Sequence, residues 1–389
     1  MKVLFISHDA NRAGAQIFLL NIMKYFQQKG MHMHLLLLGG GVLEKDFEVI
    51  CPVLKYPVAM PAVPASLPQK VLKKLGLKAQ NNSFEDAKNT LKAQLLAEKF
   101  DCIYVNTIAC AWAMPELLPL LKSPVITHIH ELEFSIQLYS SAHTRDFLFS
   151  NTTRLVACSK AVAENLINNH HFPTQKIEVI HSFVNNDDVL NRAKNTIQKA
   201  IRAKYGIPEK AFLIGGCGNA EWRKGLDIFA LLAQNVQKLE KDTIHFAWVG
   251  VKKEGEYYGQ VMYDIQKMGL DTHITLIEPT PEAIELINCF DIFTIVSRED
   301  PFPLVMLEAA LSKRTIFGFE KTGGCSEFIE TDAGQLFAYM DINEMAKAII
   351  AFKNQPFGSF GEIAQKKVLN QYSFENSILK IEKLLANLL

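Results

Sequence analysis

The sequence predicts an α/β protein made of two doubly wound, Rossmann-like domains facing each other across a cleft. Three observations carry that reading. At 389 residues the chain exceeds what one core usually supports, so two domains are expected. Short β-rich apolar runs alternate with helix-prone stretches from end to end, the order that builds parallel sheets through crossover helices. Most of those runs lack a polar residue at every second position, as strands do when helices cover both faces.

In chain order, Lys2–Ser7, His34–Leu38, Cys102–Asn106, Val125–His130, Leu155–Cys158 and Ile177–Ile180 are the strands expected in the first half. Phe212–Gly216, Ile244–Gly250, Ile274–Ile277, Asp291–Val296, Thr315–Phe319 and Gln335–Phe337 serve the second. Polar, helix-prone sequence from Asn185 to Lys204, then Gly206 and Pro208, marks the junction. The first domain is thus expected at 1–183 and the second at 184–372, with a last helix in 373–389 packing back across the boundary. Open parallel sheets take ligands beyond the carboxyl ends of their strands, which makes the cleft the expected site.

Bulk properties narrow the partners. Lys plus Arg equals Asp plus Glu at 41 each, which argues against a broad nucleic-acid surface and makes any anion site local. Met1 to Ser7 is too short an apolar run for a signal peptide, and no stretch of about 18 uncharged apolar residues offers a membrane span. The seven cysteines are scattered, none as Cys-x-x-Cys, which fits reduced core residues in a cytoplasmic protein. Within 57–78, a proline-rich apolar run precedes the basic, amphipathic Pro68–Lys78. That segment reads either as a solvated helix or as a peripheral contact with an anionic inner-membrane surface.

The chemistry concentrates in the second half. Ser297 to Ala310 runs from a buried strand into a helix opening near Leu304, so Asp300 and Glu308 bracket a strand-to-helix turn whose first amides face outward. Such a helix start attracts anions, and flanking carboxylates can grip hydroxyls, a combination suited to a phosphorylated sugar. After the strand at Phe212, Gly215, Gly216 and Gly218 permit a tight turn that leads to Arg223 and Lys224. Two cations at a helix start oppose its dipole and need a ligand such as a diphosphate to justify them. The same glycines begin a dinucleotide fingerprint, but Glu221 stands where its third glycine belongs, so NAD is not expected.

In the first half, Gly14 opens the helix after the first strand and allows a close ligand approach. Lys321 to Glu327 forms another glycine turn, with Glu327 early enough in the following helix to support its start. His128 and His130 share one face of a strand end by period-two geometry. A metal pair, two packed histidines, or a single cleft-facing His130 all fit that pattern. Neither a third ligand at suitable spacing nor an Asp-x-Asp is present, so no metal and no cofactor are expected.

With these residues in place, the sequence resembles the retaining glycosyltransferases of GT-B fold, glycosyltransferase family 4, also described as glycosyl transferases group 1. The resemblance covers nearly the whole chain. It rests on the Gly14 turn, His130-Glu131, Ala157 to Ala161, Ile177 to His181, Arg223-Lys224-Gly225, Asp300-x7-Glu308 and Gly323-Gly324-x2-Glu327. It implies transfer of a sugar from a nucleotide-diphosphate donor to a hydroxyl of a glycan or lipid-linked acceptor. Arg223 and Lys224 would hold the diphosphate, Asp300 the donor sugar, Glu308 the ribose, and the amides near Leu304 and Val305 the phosphates. Gly14 would let the donor approach from the opposite domain, and His130 would sit beside the anomeric carbon. Phe302 joins the donor-binding set, and Glu278 to Pro281 falls where the base-recognition loop lies. The chain departs from the family where Asp300, with Glu299 beside it as a rival, replaces a glutamate. It departs again where Pro301-Phe302-Pro303 replaces Gly-Phe-Gly. The alternatives are a non-catalytic nucleotide-sugar-binding module and a sugar-nucleotide epimerase of similar architecture.

Overall fold

The computed structural model describes residues 1–57, 83–241, 243–356 and 358–388. Among them, two parallel sheets form the frame. The first has seven strands in the order β3-β2-β1-β4-β5-β6-β7, the second six in the order β10-β9-β8-β11-β12-β13. The first comprises β1 (Lys2–Ser7), β2 (His32–Leu37), β3 (Val53–Lys55), β4 (Cys102–Asn106), β5 (Val125–Ile129), β6 (Arg154–Ala157) and β7 (Ile177–Val179). The second comprises β8 (Phe212–Cys217), β9 (Ile244–Val249), β10 (Ile274–Ile277), β11 (Ile292–Ile295), β12 (Thr315–Phe319) and β13 (Gln335–Phe337).

The expected strands are present, with ends shifted by a residue or two. β3 escaped the sequence reading because three half-exposed edge residues carry little apolar signal. Gly215 and Gly216 lie inside β8 rather than in a turn. A β-carbon at the first would run into the Phe290 ring and at the second into the Trp248 indole, so these glycines make room for the core.

Both faces of each sheet are buried, and the strand period sorts side chains between them. Val3 and Phe5 join one apolar cluster with the helix Gly14–Gln28, while Leu4 and Ile6 point into another. This second cluster continues through Phe302, Met306 and Leu307 to Phe293 and Ile316, so the two sheets share one apolar seam. The last helix, Phe374–Ala386, places Ile378, Ile381, Leu384 and Leu385 in the cluster of the first sheet. Its Ser377 Oγ donates to the His181 carbonyl at 2.8 Å, and Phe374 meets Phe183 at 4.8 Å between ring centroids.

The strand order reverses between β1 and β4 in one sheet and between β8 and β11 in the other. Crevices open at such switch points. Gly14, Lys224 and Asp300 lie in the chain just beyond β1, β8 and β11, and Asn106 is the last residue of β4. No helix among the described residues is long and apolar enough to cross a membrane. The basic run assigned to 57–78 falls, beyond Pro57, outside the described residues.

Candidate active site

The β8 loop is held hard against the end of β11. Gly225 adopts φ 78°, and a β-carbon on it would meet the carbonyl oxygen of Val296. That approach lets Arg298 N donate to Arg223 O at 2.8 Å, tying the two loops together. The Arg298 guanidinium donates to Asp227 at 2.9 and 2.6 Å and to Trp222 O at 2.7 Å, which fixes the loop from its other side. Lys224 and Arg223 therefore project from a rigid turn. Lys224 Nζ reaches Asp300 Oδ2 at 2.5 Å, and Arg223 Nη1 lies 3.9 Å from Asp300 Oδ1.

Asp300 is 5% exposed and is the counter-ion of both cations. Its backbone is pinned by donation to Thr322 O at 2.7 Å and by Gly324 N donating to its carbonyl at 3.2 Å. Arg223 Nη2 also donates to Glu221 Oε1 at 2.8 Å, so a diphosphate entering here would meet two cations held by two carboxylates and would compete with them for the same donors.

Beyond Asp300 the chain turns at Pro303 into the helix Leu304–Leu311, whose start has no side-chain cap and no acidic residue in its first turn. Leu304 and Val305 thus offer uncapped amides. Gly14, across the cleft, sits so near that a β-carbon on it would lie 3.6 Å from Leu304 Cδ1. Two helix starts, one from each domain, meet at this point. Four residues along, among the described residues no hydrogen-bond donor meets the Glu308 carboxylate, and burial pushes its pKa up to about 7.

On the first domain, His130 Nε2 donates to Asn106 Oδ1 at 3.1 Å. Asn106 in turn donates to the Ala15 carbonyl at 3.1 Å, linking the histidine to the Gly14 turn. Burial and the neighbouring His8 push His130 down to about 3, so its ring is neutral and Nδ1 is the acceptor. His128 stacks on it at 3.9 Å between centroids and is bonded to Tyr104 Oη at 2.7 Å. The shared face expected from strand periodicity is real. Among the described residues, no three His, Cys, Asp or Glu side chains converge to hold a metal ion.

Several residues have contacts that the sequence did not show, Glu131 among them although it stands beside His130 in the motif. Asn106 is fully buried at the end of β4, where an interior amide needs a partner, and that position is the one clue the sequence offers. Thr107 holds φ 82°, and its hydroxyl lies 3.2 Å from His8 Nδ1. Glu131 accepts from the His130 and Ile108 amides at 2.8 and 3.3 Å, and burial raises it to about 7 despite those bonds. Neither the strained threonine nor the amide bonds of Glu131 have a signature in one sequence.

Not every expected residue faces the cleft. The Phe302 ring is 5% exposed and packs on His181 and Tyr372, so only its backbone borders the site. The Glu299 carboxylate turns to the first domain, where it accepts from Phe134 N, Ser135 N and Ser135 Oγ. Glu327 reaches beyond its own helix to Lys160 N at 3.0 Å and His181 Nε2 at 3.2 Å. In the loop from Glu278 to Pro281, Thr280 meets Tyr205 at 2.8 Å and the Pro281 carbonyl accepts from Arg192.

Fold and site together define a glycosyltransferase of GT-B architecture. Residues 12–188 match Glycosyltransferase Family 4 and residues 197–371 match Glycosyl transferases group 1. The two matches lie one in each domain and together span most of the chain, which makes it similar to glycosyltransferases along its length. It is 23% identical over 321 residues to the Escherichia coli O-antigen biosynthesis glycosyltransferase WclY, covering 79% of this chain and 77% of that one. It is 25% identical over 211 residues to the poly(ribitol-phosphate) alpha-N-acetylglucosaminyltransferase of Staphylococcus aureus, covering 53% of this chain and 41% of that one. Anabaena Alr3699/HepE, solved in complex with UDP, superimposes with a TM-score of 0.79 at 19% identity, covering 100% of both chains.

Proposed function

We propose that the protein transfers a sugar, with retention of anomeric configuration and without a metal, from a nucleotide-diphosphate donor to a hydroxyl of a glycan or lipid-linked acceptor. The observation that carries this reading is the convergence of Arg223, Lys224 and the uncapped Leu304 helix start on one point opposite Gly14. Breaking a sugar–diphosphate bond builds negative charge on the leaving oxygen and positive character on the sugar. Preorganised cations and amides lower that barrier, each good donor by roughly 3 kcal/mol. Asp300 then turns to the sugar hydroxyls as the diphosphate takes over its cations, and Glu308 meets the ribose.

In the front-face course we favour, the departing phosphate draws the proton from the acceptor hydroxyl. The neutral His130, held by Asn106, borders the anomeric carbon. No carboxylate nucleophile of the kind retaining hydrolases use is needed. The UDP complex of HepE supports uridine as the first base to try, and the name of WclY supports a glycan acceptor. A lipid-linked acceptor would suit the basic run in 57–78 as a peripheral contact on the cytoplasmic face of a membrane.

A panel of UDP-, GDP- and ADP-sugars scored by thermal stabilisation tests the donor, followed by transfer assays with the sugar that binds. Lys224→Ala is expected to lower kcat/KM at least about 100-fold, since it removes a charged donor aimed at the leaving group. Wild-type kinetics in that variant would end the phosphate assignment. Binding with neither transfer nor donor hydrolysis would favour a non-catalytic module.

A further inference from the structure

The Glu299 carboxylate makes its hydrogen bonds to the other domain, while Arg223 lies near enough to feel its charge. Its Oε2 accepts from Phe134 N at 2.9 Å, and its Oε1 accepts from Ser135 N at 3.2 Å and Ser135 Oγ at 2.7 Å. All three donors belong to the first domain, and Glu299 belongs to the second. A three-donor bond to one carboxylate between separately folded sheets is a specific mechanical link, because each bond is charge-assisted and the geometry admits one arrangement. Glu327 makes the other such link, to Lys160 N and His181.

The two links differ in what stands behind them. The carbonyl of Glu299 accepts from Arg223 Nη1 at 2.9 Å, and the next residue, Asp300, holds Lys224. Arg298, the preceding residue, bonds the Arg223 carbonyl. The segment 298–300 therefore touches both cations along its length while its central side chain grips the other domain. Trp222 repeats the pattern apolarly, since its ring meets Phe134 at 5.0 Å between centroids while Arg298 lies over it at 4.7 Å.

We infer that Glu299 is a positioning residue that couples occupancy of the donor site to closure of the two domains, an inference that rests on the donor reading above. The grip on Phe134 and Ser135 fixes the backbone from which Asp300 projects, so closure sets the distance between Asp300 and the cations. A diphosphate that draws Arg223 and Lys224 away from Asp300 acts on the same three residues. By linkage, the donor favours the closed arrangement as much as closure favours the donor complex competent to react.

The test uses Glu299→Gln and Ser135→Ala, singly and together, in the full chain. Without ligand, the drop in melting temperature from the double variant is expected to be smaller than the sum of the single drops, since both remove one contact. With UDP-glucose, Glu299→Gln is expected to lower kcat/KM on the order of ten-fold and to weaken UDP binding in step, as losing one charge-assisted bond in the closed complex would do. Small-angle scattering is expected to show UDP contracting the wild type more than the variant. Additive melting shifts, or UDP affinity and kcat/KM like those of the wild type in Glu299→Gln, overturn the inference. A wild type that binds none of UDP, GDP or ADP while the melting shifts stay non-additive overturns the donor reading and the coupling with it, and leaves Glu299 an interdomain bond only.

Discussion

Glu308 is a carboxyl group among apolar helix neighbours; among the described residues no hydrogen-bond donor meets it, and the positive charge of Arg192 only partly offsets its burial. Burial raises it to about 7, above the ordinary glutamate range, so the folded protein holds its proton between about pH 4.5 and 7 while the unfolded chain gives it up. The stability it contributes is thus fully present below pH 4.5 and is lost as pH rises through 7. Glu308→Gln mimics the protonated form. It is expected to match the wild type at pH 5 and to exceed it by on the order of 2 kcal/mol at pH 8 in urea denaturation. Equal stability at both values would mean the carboxylate is solvated after all. Glu308 and Asp300 were visible in the sequence because a strand-to-helix turn with two bracketing carboxylates has a local pattern. The contacts of Asn106 and Glu131 were not, because they arise across strands in ways that no spacing encodes.

Among the elements, the turn after β8 depends on backbone that only glycine supplies. Gly225 and Gly269 share a left-handed φ, of 78° and 68°, but only Gly225 has a neighbour within reach of an added β-carbon. Gly269→Ala should therefore cost about 1 kcal/mol, the conformational penalty alone. Gly225→Ala should cost at least about 2 kcal/mol, because it also pushes the β8 loop off Val296. Chemical denaturation of the pair measures the difference, and equal losses would show that the close approach is not felt. The same comparison shows what the sequence made legible. Apolar runs marked the buried central strands well, since burial on both faces leaves a continuous pattern. The short edge strand β3 left none, and the glycines of β8 looked like turn residues although they accommodate Phe290 and Trp248.

The whole chain crosses between its two sheets twice, once after β7 and again after β13, and it ends on the side where it began. Phe374–Ala386 buries Ile378, Ile381, Leu384 and Leu385 against the first sheet, and Tyr25 Oη donates to Glu382 at 3.2 Å. The amphipathic spacing made a helix legible there. Because the first domain's core is completed by this helix, its stability should follow a substitution about 200 positions beyond β7. Ile381 is fully buried, so Ile381→Ala is expected to cost about 2–4 kcal/mol through the lost burial and the cavity left behind. That loss should appear as faster amide exchange in β1, β2 and β4, while β8 and β9 of the second sheet keep wild-type protection. Exchange read by mass spectrometry separates the sheets, and deprotection spread evenly over both would mean that the domains unfold as one unit. The shared seam through Phe302, Met306 and Leu307 argues for some spread, but the cavity opens on the far face of the first sheet, away from that seam. The local outcome is therefore the expected one.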